Sequence, residues 1–452
     1  MSIQESPATK PSRGTALSAL KNAWASVPRA ALGNLLAKLL IVALGLGITV
    51  LVARQGPRVQ GAFALFVAVE SALLTLFSGL GLWLARQMSR QQAGQAVRAR
   101  PMLRSVLRAA LGLGLLASSV LLAVSWWADK MPYAQLWLLA LAAPFLLLVP
   151  TATGLWLGQG RMWPLNAAQV AAPASVLSGL AVAWWFSQGT ERHTSTVLVV
   201  LMAWVSGKSL VAVLTAIYAL NDAHRRDEAI TTDAPSPVWW DDWRFVATIG
   251  VTNVISLLNY RASLFLVERF HGLGAVGTYS VAVTVAELLW LLSQSITVSA
   301  YSRIGNPDVR VASVMTVQAV RINVLATVLA APILLVLATW ALPEVMGPAY
   351  ADSVAPLAAL LPGVAAYAAA SSLSAFYTNH LGRPHLSGGI AGLSLAVSFG
   401  LGWFLVPSFG ALGAGISSST GYIVAIVVAY AVFLRRAGLP VRALWTPALT
   451  RL

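Results

Sequence analysis

Apolar runs of about twenty residues, the length a helix needs to cross the hydrocarbon core of a bilayer, recur roughly every 30 to 35 residues from Ala30 to Leu434. Twelve spans can be drawn: 31–53, 62–84, 105–127, 134–157, 164–187, 196–219, 244–267, 276–300, 313–341, 354–378, 386–406 and 411–434. Barrel strands need only about ten residues to cross, so runs of this length indicate helices. Hydrophobic residues make up 58% of the 452, charged residues only 10%, and mean hydropathy is +0.75, far above a soluble domain. The fold class expected is an all-α integral membrane protein with twelve transmembrane helices.

Residues 1–30 are polar, basic and interrupted by Pro7, Pro11 and Pro28, with no compact apolar core or small-residue cleavage site. They read as a cytoplasmic tail, not a signal peptide. An even number of spans puts both termini on one side. Lys and Arg of short loops stay cytoplasmic, and most of the 30 basic residues lie on the side of the N-terminus. Arg54, Arg58, Lys130, Arg192 and Arg269 are the exceptions, while Lys38, Lys208 and Arg261 lie within spans. Both termini are therefore expected in the cytoplasm. The net charge of +15 and pI near 10.7 are accounted for by topology, not nucleic-acid binding. Arg86, Arg90, Arg98, Arg100, Arg104 and Arg108, between spans 2 and 3, have holding anionic lipid headgroups as an alternative role.

The longest polar segment, Asn221 to Asp242, divides the spans into two sets of six. This predicts an N-terminal tail (1–30), an N-lobe (31–220), a cytoplasmic linker (221–243), a C-lobe (244–434) and a C-terminal tail (435–452). Trp239, Trp240 and Trp243 read as interfacial anchors, and Asp241 or Asp242 as a cap for the next helix; the rival reading of that acidic pair is a metal site, without a soluble catalytic domain around it. LVARQGPRVQGAFALFVAVESALLTL after span 1 resembles LVERFHGLGAVGTYSVAVTVAELLWLL after span 7, each placing one glutamate, Glu70 or Glu287, in the next helix. A repeat of six spans suggests two lobes around a central cavity, with a substrate site near the midplane.

Apart from basic residues counted with the N-terminal side, Arg108, Arg244 and Arg321 among them, five ionisable groups fall inside spans: Lys38, Glu70, Lys208, Arg261 and Glu287. Such groups are costly in hydrocarbon and are functional candidates by default. At 1.5 Å per residue, Lys208 is central in span 6, Glu70 ~12 Å and Arg261 ~9 Å from the outer face, and Lys38 ~10 Å from the inner face. Lys38 and Arg261 have snorkelling as the plain alternative; Lys208 needs a cavity or a partner. Three cations against two acids point to an anionic cargo, with Arg and Lys suited to phosphate. Glu70 and Glu287 either pair with these cations or bind a coupling proton or sodium ion. Asn34, Asn253, Asn259, Tyr260 and Gln294 are possible glycan contacts, with interhelical hydrogen bonding the rival explanation.

Gly207, Lys208 and Ser209 spell GKS, but Met202 stands where a phosphate-binding loop needs its first glycine. The absence of cysteine removes disulfides and thiolate metal sites. No cofactor or metal is expected, and the five histidines lie in loops or at span ends. Glycines and prolines within spans, among them Gly79, Gly81, Pro144, Pro150, Pro173, Pro332 and Pro362, mark hinges or static kinks.

LVARQGPRVQGAFALF, GLWLGQGRMWPLN, NYRASLFLVERFHGLGAVGTYSVAV, LGRPHLSGG and LVPSFGALGAGISSSTGY, in this order and spacing from Asn34 to Arg436, resemble the polysaccharide-transporter branch of the MOP exporter superfamily, the Wzx-type flippases. The likeness departs from the family at Ala262 and Ser263, where an acidic residue often follows the NYR triplet, and a local aspartate partner for Arg261 is missing. Twelve spans match these flippases, and not the fourteen of lipid II flippases. The resemblance implies a V-shaped transporter with a cationic cavity in the bacterial inner membrane. Its cargo would be an undecaprenyl-pyrophosphate-linked oligosaccharide, with Arg261, Lys208 and Lys38 drawing in the pyrophosphate. Membrane lipids, a polysaccharide polymerase and chain-length machinery would be its partners. Two rivals are a small-molecule cation antiporter of the same superfamily, which would favour an acidic, aromatic cavity, and a membrane-embedded polymerase, ligase or glycosyltransferase, which typically carries a larger outer loop. A transporter, not an enzyme, is the expectation.

Overall fold

The computed structural model describes residues 29–92, 98–187, 193–227 and 237–441. Most of both predicted tails and the centre of the predicted linker, 228–236, lie outside them. Ten helices among the described residues are long and apolar enough to cross a membrane. Two of these reverse direction at a glycine, so the crossings number twelve.

The crossings are α1 (Arg29–Ala53), α2 (Pro57–Leu76, continued by Gly79–Gln92), α3 (Ala99–Trp127) and α4 (Leu136–Leu146, continued by Leu148–Gly158). α5 (Met162–Ser187) and α6 (His193–Asp227) complete the first half. Helix Trp243–Ile304 supplies α7 (243–271) and α8 (273–304), followed by α9 (Val309–Met346) and α10 (Val354–Tyr367, continued by Ala370–Ala375). Helix Pro384–Ala437 supplies α11 (384–409) and α12 (411–437). The end where α1 begins is called here the near end, and the opposite one the far end.

Two expected loops prove far tighter than the apolar pattern suggests. The helix does not stop at residue 267 but runs to 271 and turns on Gly272, whose φ of 74° is open to glycine at little steric cost. A straight helix would hold Arg261 and Glu287, 26 residues apart, about 39 Å from one another; their side chains are hydrogen bonded, so the chain folds back. Gly410, with φ 54°, makes the same turn between α11 and α12, and Gly421 lies against Ser394 and Ser398 across it.

Large apolar side chains cover the outside: Leu116 is 65% exposed, Val336 68% and Phe404 77%. Such a surface suits hydrocarbon and would be an aggregation liability in water. Trp126 and Trp127 near the far end and Trp163 near the near end are also exposed, as interfacial indoles are.

The halves meet along α2. At its far end Gly61 and Gly277 occupy corresponding positions in the internal repeat. A Cβ on Gly61 would lie 1.9 Å from the Leu273 carbonyl oxygen, and one on Gly277 2.0 Å from that of Pro57. Only glycine allows this approach. Gln60 Nε2 donates to Ser280 Oγ (3.2 Å), Arg54 Nε to Val345 O (2.8 Å) and Tyr350 OH to Ala53 O (3.0 Å). Toward the near end a Cβ on Gly79 would meet Val246 O at 2.2 Å, one on Gly250 would meet Leu76 O at 2.0 Å, and Asn253 Nδ2 donates to Ser78 Oγ (3.0 Å). Gly79 and Gly81 are thus packing positions, Gly81 facing Pro150 O. α2 breaks at Phe77–Ser78, α4 at Leu147 and α10 at 368–369, while α5 and α9 run continuously past Pro173 and Pro332.

Asp242 does not cap α7 with its side chain. Its carboxylate instead accepts from Trp83 Nε1 (2.9 Å) and Gln87 Nε2 (3.4 Å) of the other half, which engages the side chain away from the first turn of α7. Capping from a distant helix is seen at Asp227, which accepts from Ala99 N (2.9 Å) and Arg100 N (2.7 Å) at the start of α3, where Arg98, Arg100, Arg104 and Arg108 line one surface depression.

Candidate functional site

Between the far-end and near-end contacts lies a cavity of 350 Å³. Its walls come from α1 (Ile41, Gly45, Thr49), α2 (Gln60, Phe63, Val67), α5 (Pro173), α6 (Trp204, Lys208), α7 (Arg261, Leu264) and α8 (Ser280, Thr284). Both halves contribute, and each supplies one cation: Lys208 from the first, Arg261 from the second.

Neither cation is free. Lys208 Nζ bonds the carboxylate of Glu70, which is fully buried and also accepts from Trp204 Nε1. The ammonium lies 4.5 Å from the Trp204 ring centre, a favourable cation–π distance. Arg261 grips Glu287 with two parallel bonds, Nη1 to Oε1 at 2.8 Å and Nη2 to Oε2 at 3.0 Å, the bidentate geometry natural to guanidinium and carboxylate. Extending the helices to their observed ends deepens these groups. Glu70, Lys208, Arg261 and Glu287 lie ~15 to 23 Å of helix rise from the far end, mid-depth in a bilayer. Each repeat carries one glutamate in its second helix, Glu287 falling one residue later than Glu70 in the register that matches Gly61 with Gly277, and their partners differ: α6 supplies one cation and α7 the other.

Lys38 is exposed and makes no ion pair among the described residues. It shares a face of α1 with Ile41, Gly45 and Thr49 by helical spacing, nearer the near end and outside the cavity lining. Asn34, one turn before it, also lies outside that lining.

A second cavity of 250 Å³ lies wholly within the second half. Tyr260, Trp290 and Tyr367 wall it, with Gln294 and Ser256, Ser293, Ser371, Ser374 and Ser387 around them. Tyr260, Trp290, Tyr367 and the buried Tyr422 form one cluster, with ring centres 4.8 to 6.3 Å apart. Asn259 is buried beneath it, its amide 3.4 Å from Tyr367 OH. Of the expected glycan contacts, Tyr260 and Gln294 meet in this cavity, Asn253 joins the halves, and Asn34, Asn253 and Asn259 line neither cavity.

Residue-type reasoning passed over Trp204, Trp290, Tyr367 and Tyr422. Helical spacing carried a signal for two of them: Trp204 is four residues before Lys208 and Trp290 three after Glu287, each on its partner's face. Among the described residues no group of three or more His, Cys, Asp or Glu could hold a metal ion.

No protein-family model and no curated protein sequence matches the chain. Solved structures do. An inward-facing multidrug resistance MATE family transporter of the MOP superfamily superposes with a TM-score of 0.68 at 15% identity, over 91% of this chain and 95% of that one. The lipid II flippase MurJ in an inward closed conformation gives 0.70 at 14%, over 90% and 88%. A MOP superfamily transporter from Pyrococcus furiosus, whose binding pocket of reverse polarity suggests a different function, gives 0.64 at 15%, over 92% and 96%. The chain therefore has the fold of MOP-superfamily transporters and is a multi-pass membrane protein. These neighbours are transporters and a flippase, not enzymes.

Proposed function

We propose that this protein is a flippase that moves an undecaprenyl-pyrophosphate-linked oligosaccharide repeat unit from the cytoplasmic to the outer leaflet of a bacterial inner membrane, for surface polysaccharide assembly. The observation that carries the reading is the pair of cations, Lys208 and Arg261, contributed by opposite halves to one cavity at mid-depth. A doubly charged headgroup bound there bridges both halves. The lipid II flippase among the structural neighbours supports a lipid-linked cargo on this fold.

In this mechanism Lys38 meets the headgroup first, on the face of α1 that leads to the cavity. The pyrophosphate then displaces Glu70 from Lys208 and Glu287 from Arg261, so the acids act as internal counterions while the carrier is empty. Glycan occupies the polar walls, and the polyprenyl tail stays in lipid through a gap between the halves. Alternating tilts expose the site on each side in turn. A polymerase and chain-length machinery would receive the product.

Export of surface polysaccharide by inserted variants tests this. Arg261→Ala and Lys208→Ala are each expected to cut export at least tenfold, and Arg261→Lys, which keeps charge but loses the fork, to retain part of it. Wild-type export by both alanine variants would overturn the cationic-cavity mechanism. A second reading, organic-cation antiport, draws on the aromatic cluster and the MATE neighbours. Against it, no carboxylate lines the aromatic cavity, and Glu287 is held by Arg261.

A further inference from the structure

We propose that the aromatic cavity of the second half is a subsite for one uncharged pyranose ring, the sugar nearest the phosphate of the cargo. This rests on the flippase reading and assigns its sugar-recognition site.

Three features support it. First, the cavity combines flat aromatic walls with hydroxyl and amide groups and holds no charge. A pyranose has the same division, with C–H faces that lie on rings and an equatorial rim of hydroxyls; a packed aromatic core would leave no such void. Second, two polar groups on its wall, Trp290 Nε1 and Ser293 Oγ, are buried without a hydrogen-bond partner. Ser293 is only 3% exposed. Unpaired buried groups are expensive, and a ligand hydroxyl that reaches either one would satisfy it. Third, size and position agree. At 250 Å³ the cavity matches about eight waters of liquid volume, room for one ring and not a chain. Glu287, Trp290 and Gln294 follow one face of α8, so the cavity begins within ~10 Å of helix rise from the Arg261–Glu287 pair. A phosphate on Arg261 therefore places the first sugar at the cavity.

Saturation-transfer NMR on the full-length protein in lipid nanodiscs tests the subsite, with methyl α-glucopyranoside, methyl β-N-acetylglucosaminide and tetraethylammonium as probes. The expected result is transfer to the ring protons of at least one glycoside, reduced threefold or more in Trp290→Phe and in Ser293→Ala, and undisturbed by tetraethylammonium. Trp290→Phe keeps an aromatic face, smaller than indole, and removes the N–H, while Ser293→Ala removes one hydroxyl with little change of volume, so the two variants test the site independently. No glycoside signal from the wild type, an unchanged signal in both variants, or displacement by tetraethylammonium would each overturn the subsite. If Trp290→Phe and Ser293→Ala export normally while Arg261→Ala does not, the subsite falls and the flippase reading stands. If Arg261→Ala and Lys208→Ala export normally, the cationic-cavity mechanism falls whatever the sugars do, and if cells lacking the protein export normally the flippase reading itself falls.

Discussion

Glu70 is the most completely buried of the in-span charges, with 1% of its side chain exposed against 25% for Glu287. That difference sets two expectations. Removing one partner of a buried pair strands the other's charge at a cost of about 3 to 5 kcal/mol, so Glu70→Gln should lower the melting temperature in nanodiscs clearly and Glu287→Gln much less. The double variant Glu70→Met/Lys208→Met should recover the melting temperature, since apolar replacement of a buried pair is often neutral, yet lose export. Normal export by that variant would reduce the pair to a structural tie. The five charged residues were legible in the sequence because apolar surroundings make each conspicuous. Pairing of the glutamates with these cations was one of two readings, but which residues pair was not legible: Lys208 and Glu70 are 138 residues apart, and no local spacing connects α2 to α6.

Among the elements, α2 and α8 decide how the halves approach. Their glycine crossing at Gly61 and Gly277 leaves no room for a Cβ, so Gly61→Val should force the far end apart. The chain has no cysteine, which allows a direct measurement. Gly274 lies beside Arg58, a Cβ there falling 4.0 Å from Arg58 Cγ. The double variant Arg58→Cys/Gly274→Cys should cross-link on oxidation, block export and recover with reductant, and Gly61→Val in that background should cut cross-linking severalfold. Efficient cross-linking without loss of export would mean that the far end does not open during transport. Gly61 and Gly277 both lie within the repeated segments; that they face each other, and not two separate neighbours, follows only from the packing of the halves.

For the whole molecule, mid-depth charge and closure are linked. With both cations paired, the cavity is electrically balanced while the halves touch on either side of it, which avoids enclosing net charge in a low dielectric. An anionic headgroup would take the place of the glutamates and keep that balance. Orientation has its own test in the cysteine-free background. Single cysteines at Arg58 and Lys130 should react with a membrane-impermeant maleimide in intact cells, and those at Arg104 and Arg383 only after permeabilisation. The reverse pattern would place the arginine-rich near end outside and overturn the proposed direction of transport.

The sequence by itself determined the class and the crossings. A bilayer demands about twenty apolar residues per helix and makes every charge inside a crossing rare enough to notice, so hydropathy alone reveals both. Both turns fall in the breaks it predicts, 268–275 and 407–410, but it made them too long, because a single glycine of positive φ reverses the chain while the flanking helices run on to it. Tertiary structure alone decided which charges meet, that Asn253 and Asp242 bind across the halves, and that Tyr260, Trp290, Tyr367 and Tyr422 gather around a cavity. Those outcomes depend on how six helices of one half pack against six of the other, and the period of a single helix carries no information about its neighbour.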